Sequence, residues 1–461
     1  MTRPVAPTRE DPVARVASEV AGGPAGRHLA AGRGRWPATS VLALLTVPTL
    51  VLAVLLRQPC RALRFASPDQ LTHACYSDVP AVVSAAGLDR GVLPYLSTPD
   101  PSSADGTRLT EPIGTGWLLA ALAALAPDGA DAVVWVFDLA VVLVAVALVV
   151  TVLAVAALAG RRPWDAALVA VSPVVPAAAL VSLDLVAVAL AVLGVLAQAR
   201  SRPGVAGVLL GLAVVVRPTA LLVLLAVLVL AVRAGRRRTA GTLAGAALAG
   251  WGAVSLPVLA VSPAAFTASW QGTLSLDAGY GSLWLLPQLA GAPLPAGVVR
   301  WLALSAVVAV VVGVLTWALT LAHRPRLPAL VVVLVAGVLV VSPAVPVQAS
   351  LWLLPFAALA VPVWRDHLLW GAAELGYATG TWLYLYGLQE PDRGLPPWAY
   401  GTLLVLRLAA IGWLAARAVA LSRSPERDPV RAPADAPGLG RDDPAAGPLE
   451  GAADAVVVRF R

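Results

Sequence analysis

The chain has 461 residues, of which 59% are hydrophobic and only 13% charged. A soluble domain carries about 25% charged residues, so this composition excludes a water-soluble globular protein and points to lipid as the solvent. The net charge of +7 is carried by Arg with no Lys, and the Arg residues fall in short loops and at the N-terminus; a nucleic-acid surface, which gathers basic residues on one wet face, is excluded.

Residues 1–36 combine Arg, Pro, Gly and Ala without periodicity and are expected to form a disordered cytoplasmic tail. The apolar run from Pro37 to Leu56 follows that tail. A secretory signal starts closer to the N-terminus, so the run is expected to stay as a permanent first span. A long loop, 57–132, follows. It contains Cys60 and Cys75, which either form a disulfide closing a small loop outside the cytoplasm or remain two free thiols. Asp78 opens an amphipathic stretch, Val79 to Leu88. Its carboxylate is placed either as a general base on an acceptor hydroxyl or as a helix cap.

The apolar stretch Ile113–Ala126 is short for a span, at about 14 residues. Kept as an interfacial or re-entrant helix in the outer loop, it leaves Arg161-Arg162, Arg200–Arg202, Arg233–Arg238, Arg324–Arg326 and Arg365 all on the cytoplasmic side. Further spans are expected over 133–159, 165–181, 185–199, 204–217, 219–232, 240–261, 298–322, 327–345, 351–364, 367–388 and 398–421. The fold class is thus all-α, a polytopic bundle of about twelve spans (37–421) whose first outer loop holds interfacial helices, with both termini cytoplasmic. Residues 422–461 read as a second disordered cytoplasmic tail.

Few polar groups interrupt this pattern. Asp184 lies between apolar residues in Val181-Ser182-Leu183-Asp184-Leu185, where an acid is costly and calls for a partner or a cavity. Arg217 precedes Pro218 at the outer end of a span, placed either to clamp a lipid phosphate through its planar fork or to snorkel to the interface. The outer turn Tyr280-Gly281-Ser282-Leu283-Trp284 is read either as an interfacial aromatic anchor or as a contact for a sugar or headgroup. Glu374 is a lone acid in a late span, structural or part of a pathway. The four His (His28, His73, His323, His367) are scattered, and no phosphate-binding or dinucleotide motif occurs, so no metal and no cofactor are expected.

The stretches Cys75-Tyr76-Ser77-Asp78, Gly91-Val92-Leu93-Pro94-Tyr95, Gly160-Arg161-Arg162-Pro163-Trp164-Asp165, Asp184-Leu185-Val186-Ala187, Ala206-Gly207-Val208-Leu209-Leu210-Gly211, Tyr280-Gly281-Ser282-Leu283-Trp284 and Leu351-Trp352-Leu353-Leu354-Pro355, taken in order, resemble the actinobacterial polyprenol-phosphate-mannose-dependent mannosyltransferases of glycosyltransferase family 87, which have the GT-C membrane fold. The resemblance runs from about Cys60 to Arg407. It implies a polyprenyl-phosphate-sugar donor, with mannose the expected sugar, a glycan or glycolipid acceptor of the cell envelope, and transfer at the outer face of the membrane. It implies Asp78 as the base, Asp184 as a second acid and Arg217 as the phosphate clamp. It makes Glu111, Tyr280, Ser282 and Trp284 candidates for substrate binding. The chain departs from the family pattern at three places: Thr110-Glu111-Pro112 stands where Glu-Tyr-Pro is expected, Ser182-Leu183 where Asn-Trp precedes the second acid, and Pro218-Thr219-Ala220 where Leu-Tyr-Pro follows the basic residue. Two other readings are a transporter or lipid flippase, which needs ionisable groups through the middle of the bundle, and a diverged non-catalytic GT-C-like protein, in which Asp78, Asp184 and Arg217 do not converge.

Overall fold

In lipid a backbone has no water to satisfy its N–H and C=O groups, so an apolar chain closes them inside helices. The computed structural model describes residues 11–26, 37–66, 68–96, 109–271, 277–390, 392–431 and 443–452, and every regular element among them is helical. Five helices are long and apolar enough to cross a membrane: Ala38–Leu55, Ala132–Leu158, Arg237–Val261, Ala296–Thr320 and Pro397–Arg423. Shorter apolar helices stand among them, including Ile113–Leu125, Asp184–Ala199, Pro203–Val216, Ala220–Arg233 and Leu327–Val341. The protein is therefore a multi-pass, all-helical membrane bundle.

Two stretches expected as continuous spans are broken. Residues 165–181 form a 3-10 turn and two short helices, Ala167–Ala170 and Val174–Ala178, parted before Pro173. Proline supplies no N–H and keeps the preceding residue out of the helical region. The break is tolerated because it is covered by protein: apart from Val171 and Pro173, every residue from Asp165 to Leu185 is buried. The freed carbonyls are also satisfied from the first helix and its exit, by Thr49 Oγ1 on Ala170 O (2.7 Å) and Arg57 Nη2 on Ala177 O (3.2 Å). These pairings advance together, so the broken segment runs parallel to Ala38–Leu55. Residues 351–364 likewise divide into a 3-10 helix, Val347–Trp352, and a short helix, Leu354–Ala360. There Arg326 donates to Leu359 O (2.8 Å) and Ala360 O (3.0 Å).

The 57–96 segment is tied down at one end of the bundle. Cys60 and Cys75 are joined as a disulfide with Cα atoms 5.8 Å apart, closing a loop of 15 residues, a link that contributes about 3 kcal/mol by restricting the unfolded chain. Arg61 grips Asp138 at the start of the Ala132–Leu158 helix through Nε (2.8 Å) and Nη2 (2.7 Å). The Ile113–Leu125 helix keeps both of its ends on this same face. Thr115 near its start donates to Val216 O (2.7 Å), and the turn after it leads to Asp131, which pairs with Arg64 (2.8 Å).

Close backbone approach sets the position of the Pro203–Val216 helix. A Cβ on Gly207 would lie 2.4 Å from Leu243 O and one on Gly211 2.2 Å from Ala247 O, so the small-xxx-small pair seats this helix against Arg237–Val261. Gly116 is as tight, since a Cβ there would meet the Tyr95 hydroxyl at 2.1 Å. Gly116→Ala is expected to destabilise the protein by about 1–3 kcal/mol through overpacking. A melting temperature in detergent equal to that of the wild type would refute this.

Parts of both tails expected to be disordered are placed. Pro12–Gly26 is a helix whose preceding residue, Asp11, accepts from Trp364 N (2.5 Å). At the other end of the chain, Asp428 pairs with Arg326 (2.6 Å), Asp443 accepts from Leu327 N (2.6 Å) and Arg324 donates to Leu449 O (3.0 Å). The composition of these tails is polar and rich in Pro and Gly, but buried guanidinium and amide groups of the bundle offer them specific partners. Residues 1–10, 27–36, 432–442 and 453–461 of the tails lie outside the described residues.

Candidate active site

The Asp78–Ala85 helix begins where the disulfide-tied loop ends. Its cap is Ser77, whose side chain accepts from Val79 N (3.3 Å), so Asp78 is relieved of that role. The backbone at this corner is fixed by Asp78 N donating to Val181 O (2.7 Å). The Asp78 carboxylate accepts from Gln348 Nε2 at Oδ2 (3.1 Å) and is hydrogen-bonded by Tyr76. Burial, and then the neighbouring charge of Glu111, push its pKa from 3.8 up to about 7, against the opposing pull of Arg217 and Tyr76. A carboxylate held there changes its charge near neutral pH.

Asp184 is the first residue of its helix, where the unpaired N–H groups and the helix dipole favour an anion. It is 5% exposed and fully engaged. Ser182 Oγ donates to Oδ2 (2.6 Å), Trp352 Nε1 donates to Oδ1 (3.0 Å), and Arg217 Nε lies 2.8 Å from Oδ2 as an ion pair.

Arg217 owes its position to Pro218. The helix stops at Val216 and Arg217 takes an extended conformation (φ −147°, ψ 120°), as a residue before proline must. Its side chain turns inward between two acids, with Nη1 3.0 Å from Glu111 Oε2 and Nε on Asp184, so it is not an arginine snorkelling to water. Glu111 reaches this point because Tyr95 Oη sits 2.8 Å from Glu111 O and 3.0 Å from Pro112 O, and because the Ile113–Leu125 helix is pinned to Val216.

Beside the Glu111–Arg217 pair a narrow crevice is lined by Pro112, Val215, Pro218, Trp251, Ser255 and Trp270, among others. Polar and apolar groups, two hydroxyls among them, line it together, and it abuts the residues that follow Glu111 and Arg217.

The structure thus brings Asp78, Glu111, Asp184 and Arg217 into one electrostatic cluster. It does not bring the polar atoms of Ser282 and Trp284 there. Ser282 Oγ donates to Ser342 O (3.1 Å) and accepts from Trp284 N (3.0 Å), while Trp284 Nε1 donates to Val341 O (2.8 Å). With Val345 N on Tyr280 O (3.0 Å), this turn latches the 277–285 loop onto 341–345. The Tyr280 ring is 41% exposed and meets Tyr384 edge-on at 6.3 Å. Glu374 lies in a separate pair, with Arg407 Nε 2.9 Å from its Oε2.

Gln348 and Trp352 were not singled out as site residues from sequence. Gln348 has one visible signal, a lone amide in an outer segment after Pro343 and Pro346. Trp352 stands in the Leu351–Pro355 run that carries part of the family resemblance, but nothing there marks its indole as a partner for Asp184.

The sequence model of glycosyltransferase family 87 matches residues 110–343. That span covers just over half of the 461 residues and includes Glu111, Asp184, Arg217, Tyr280, Ser282 and Trp284, whereas Asp78, Gln348 and Trp352 lie outside it. No curated protein matches the chain. A match of that extent, on a polytopic all-helical bundle, places the chain in glycosyltransferase family 87, as a multi-pass membrane glycosyltransferase.

Proposed function

We propose that the protein transfers a sugar, with mannose the first candidate, from a polyprenyl phosphate to a glycan or glycolipid acceptor at the outer face of the membrane. The observation that carries this reading is the convergence of Asp78, Asp184 and Arg217 at one end of the bundle. A non-catalytic relative has no need of that convergence, and a flippase needs charges along a path rather than at one end. The Arg-rich loops and both termini belong to the cytoplasmic side by charge, and the cluster belongs to the other.

In this mechanism the Asp78 carboxylate takes the proton of the acceptor hydroxyl as its oxygen attacks the anomeric carbon. The bond from that carbon to the phosphate oxygen breaks, and its electron pair leaves on the polyprenyl phosphate. Arg217 offers a fixed positive charge to the phosphate as negative charge builds on it. Asp184 and Glu111 hold the guanidinium from two sides and set its direction.

The donor is tested with membranes from expressing cells given radiolabelled mannose either as polyprenyl-phosphate-mannose or as a nucleotide sugar, with polyprenyl phosphate synthesis blocked. Label is expected in the acceptor only from the lipid-linked form. Incorporation from the nucleotide sugar alone would end the reading, and label from polyprenyl-phosphate-glucose in place of mannose would reassign the sugar.

A further inference from the structure

The Glu374–Arg407 pair is left unused by the reaction above, although both side chains are buried, at 1% and 0% exposure, inside two long helices of a membrane bundle. Such groups are costly in lipid, and a buried ion pair is weak evidence for stability, because apolar residues of similar volume serve that purpose as well. What Arg407 binds is more informative. Nε donates to Glu374 Oε2 (2.9 Å), which is itself held through its other oxygen by Trp370 Nε1 (3.0 Å). The other nitrogens go to a single stretch of chain: Nη1 to Val345 O (2.6 Å), and Nη2 to Pro346 O (2.9 Å) and Ser350 Oγ (3.1 Å). The guanidinium plane is backed by the Tyr377 ring, with its centre 4.2 Å from the ring centroid.

That stretch runs into the 3-10 helix Val347–Trp352. A 3-10 helix advances three residues per turn, so positions 348, 350 and 352 point about 120° apart. Each goes to a different partner: Ser350 to Arg407, Gln348 Nε2 to Asp78 Oδ2 (3.1 Å), and Trp352 Nε1 to Asp184 Oδ1 (3.0 Å). One short element therefore carries a hydrogen-bond donor to each of the two acids. Its own hydrogen bonding is weak, and its rotation is set from the far side by one guanidinium.

We propose that Arg407 is a positioning residue for sugar transfer: held by Glu374, it fixes the 345–352 segment so that Gln348 meets Asp78 and Trp352 meets Asp184. This rests on the proposed reaction for its kinetic consequences and on the geometry alone for its structural ones.

The test uses the full-length protein in detergent with two variants. Arg407→Lys keeps the charge but loses the fork, and Ser350→Ala removes one of the contacts without touching any charge. Hydrogen–deuterium exchange is read first, because it needs no activity. Faster exchange confined to peptides spanning 345–352 and 78–85 is expected in both variants, larger in Arg407→Lys. Wild-type exchange at those peptides in Arg407→Lys overturns the proposal. Transfer is then measured against pH. In Arg407→Lys kcat is expected to fall roughly 10- to 100-fold, as misplacement of reacting groups does, with KM for the donor changed less than kcat. The groups facing Asp78 are Tyr76, Glu111, Asp184, Arg217 and Gln348, and the variant alters none of their charges. An alkaline move of the pH midpoint by about 1 unit therefore reports a withdrawn Gln348 amide, and Gln348→Ala is expected to give the same move. A lower kcat with an unmoved midpoint would mean a merely structural role and overturn the proposal. If the wild type itself transfers nothing from a polyprenyl-phosphate sugar while the exchange pattern holds, the reaction reading fails and the coupling stands.

Discussion

Asp78→Asn leaves a folded protein whose sugar transfer is lower by at least about 10²- to 10⁴-fold, the contribution of a positioned general base. The amide keeps the shape of the carboxylate and its oxygen still accepts from Gln348, so the corner held by Ser77 and Val181 is undisturbed. What is lost is the group that takes the acceptor proton in the proposed reaction. In the wild type, activity is expected to rise with pH through about 7, because in the proposed reaction Asp78 works only when ionised and burial together with Glu111 pushes its titration up to about 7. Glu111→Gln removes one of the charges that raise it, so the midpoint is expected to move to lower pH. The linkage to stability has the opposite sense from that of a salt-bridged acid. The native state holds this proton up to about 7 and the unfolded chain releases it near 3.8, so stability falls as pH rises through that window. Asp78→Asn lacks that loss and is expected to melt no lower than the wild type at pH 8. Transfer by the Asn variant at the wild-type rate would remove Asp78 from the mechanism, and a melt far below wild type would make its carboxylate structural.

Arg217 carries the second large effect. Arg217→Gln leaves Asp184, whose side chain is 7% exposed, without its ion-pair partner, and this is expected to cost about 3 kcal/mol. The same variant loses the fixed positive charge at the leaving phosphate, for which a fall of about 10²- to 10³-fold in kcat is expected. Arg217→Lys separates the two roles. A single ammonium pairs with one acid but cannot reproduce the fork between Asp184 and Glu111, so the melting temperature recovers most of the way while the donor KM stays raised. A Lys variant with wild-type kcat and KM would show that the guanidinium geometry is irrelevant to the donor.

The sequence by itself determined the class of fold and much of the charge cluster. Spans are local: an apolar run of about 20 residues closes its own hydrogen bonds wherever it lies, and Ala132–Leu158 or Pro397–Arg423 needs no distant partner to be recognised. Asp184 and Arg217 were legible because each charge stands alone in an apolar context, with Pro218 marking where the helix had to stop.

Other features were decided only by tertiary structure. Whether the 165–181 stretch forms one helix or two depends on Thr49 and Arg57 satisfying the carbonyls that Pro173 and its neighbours free. That Ser77 and not Asp78 caps the Asp78–Ala85 helix shows only in the fold, and the tail residues Asp428 and Asp443 are ordered by groups far away in the chain. Gln348 and Trp352 reach acids 270 and 168 residues away. No periodicity or local propensity records such a pairing, because its strength comes from burial shared by two segments that meet only once the bundle has closed.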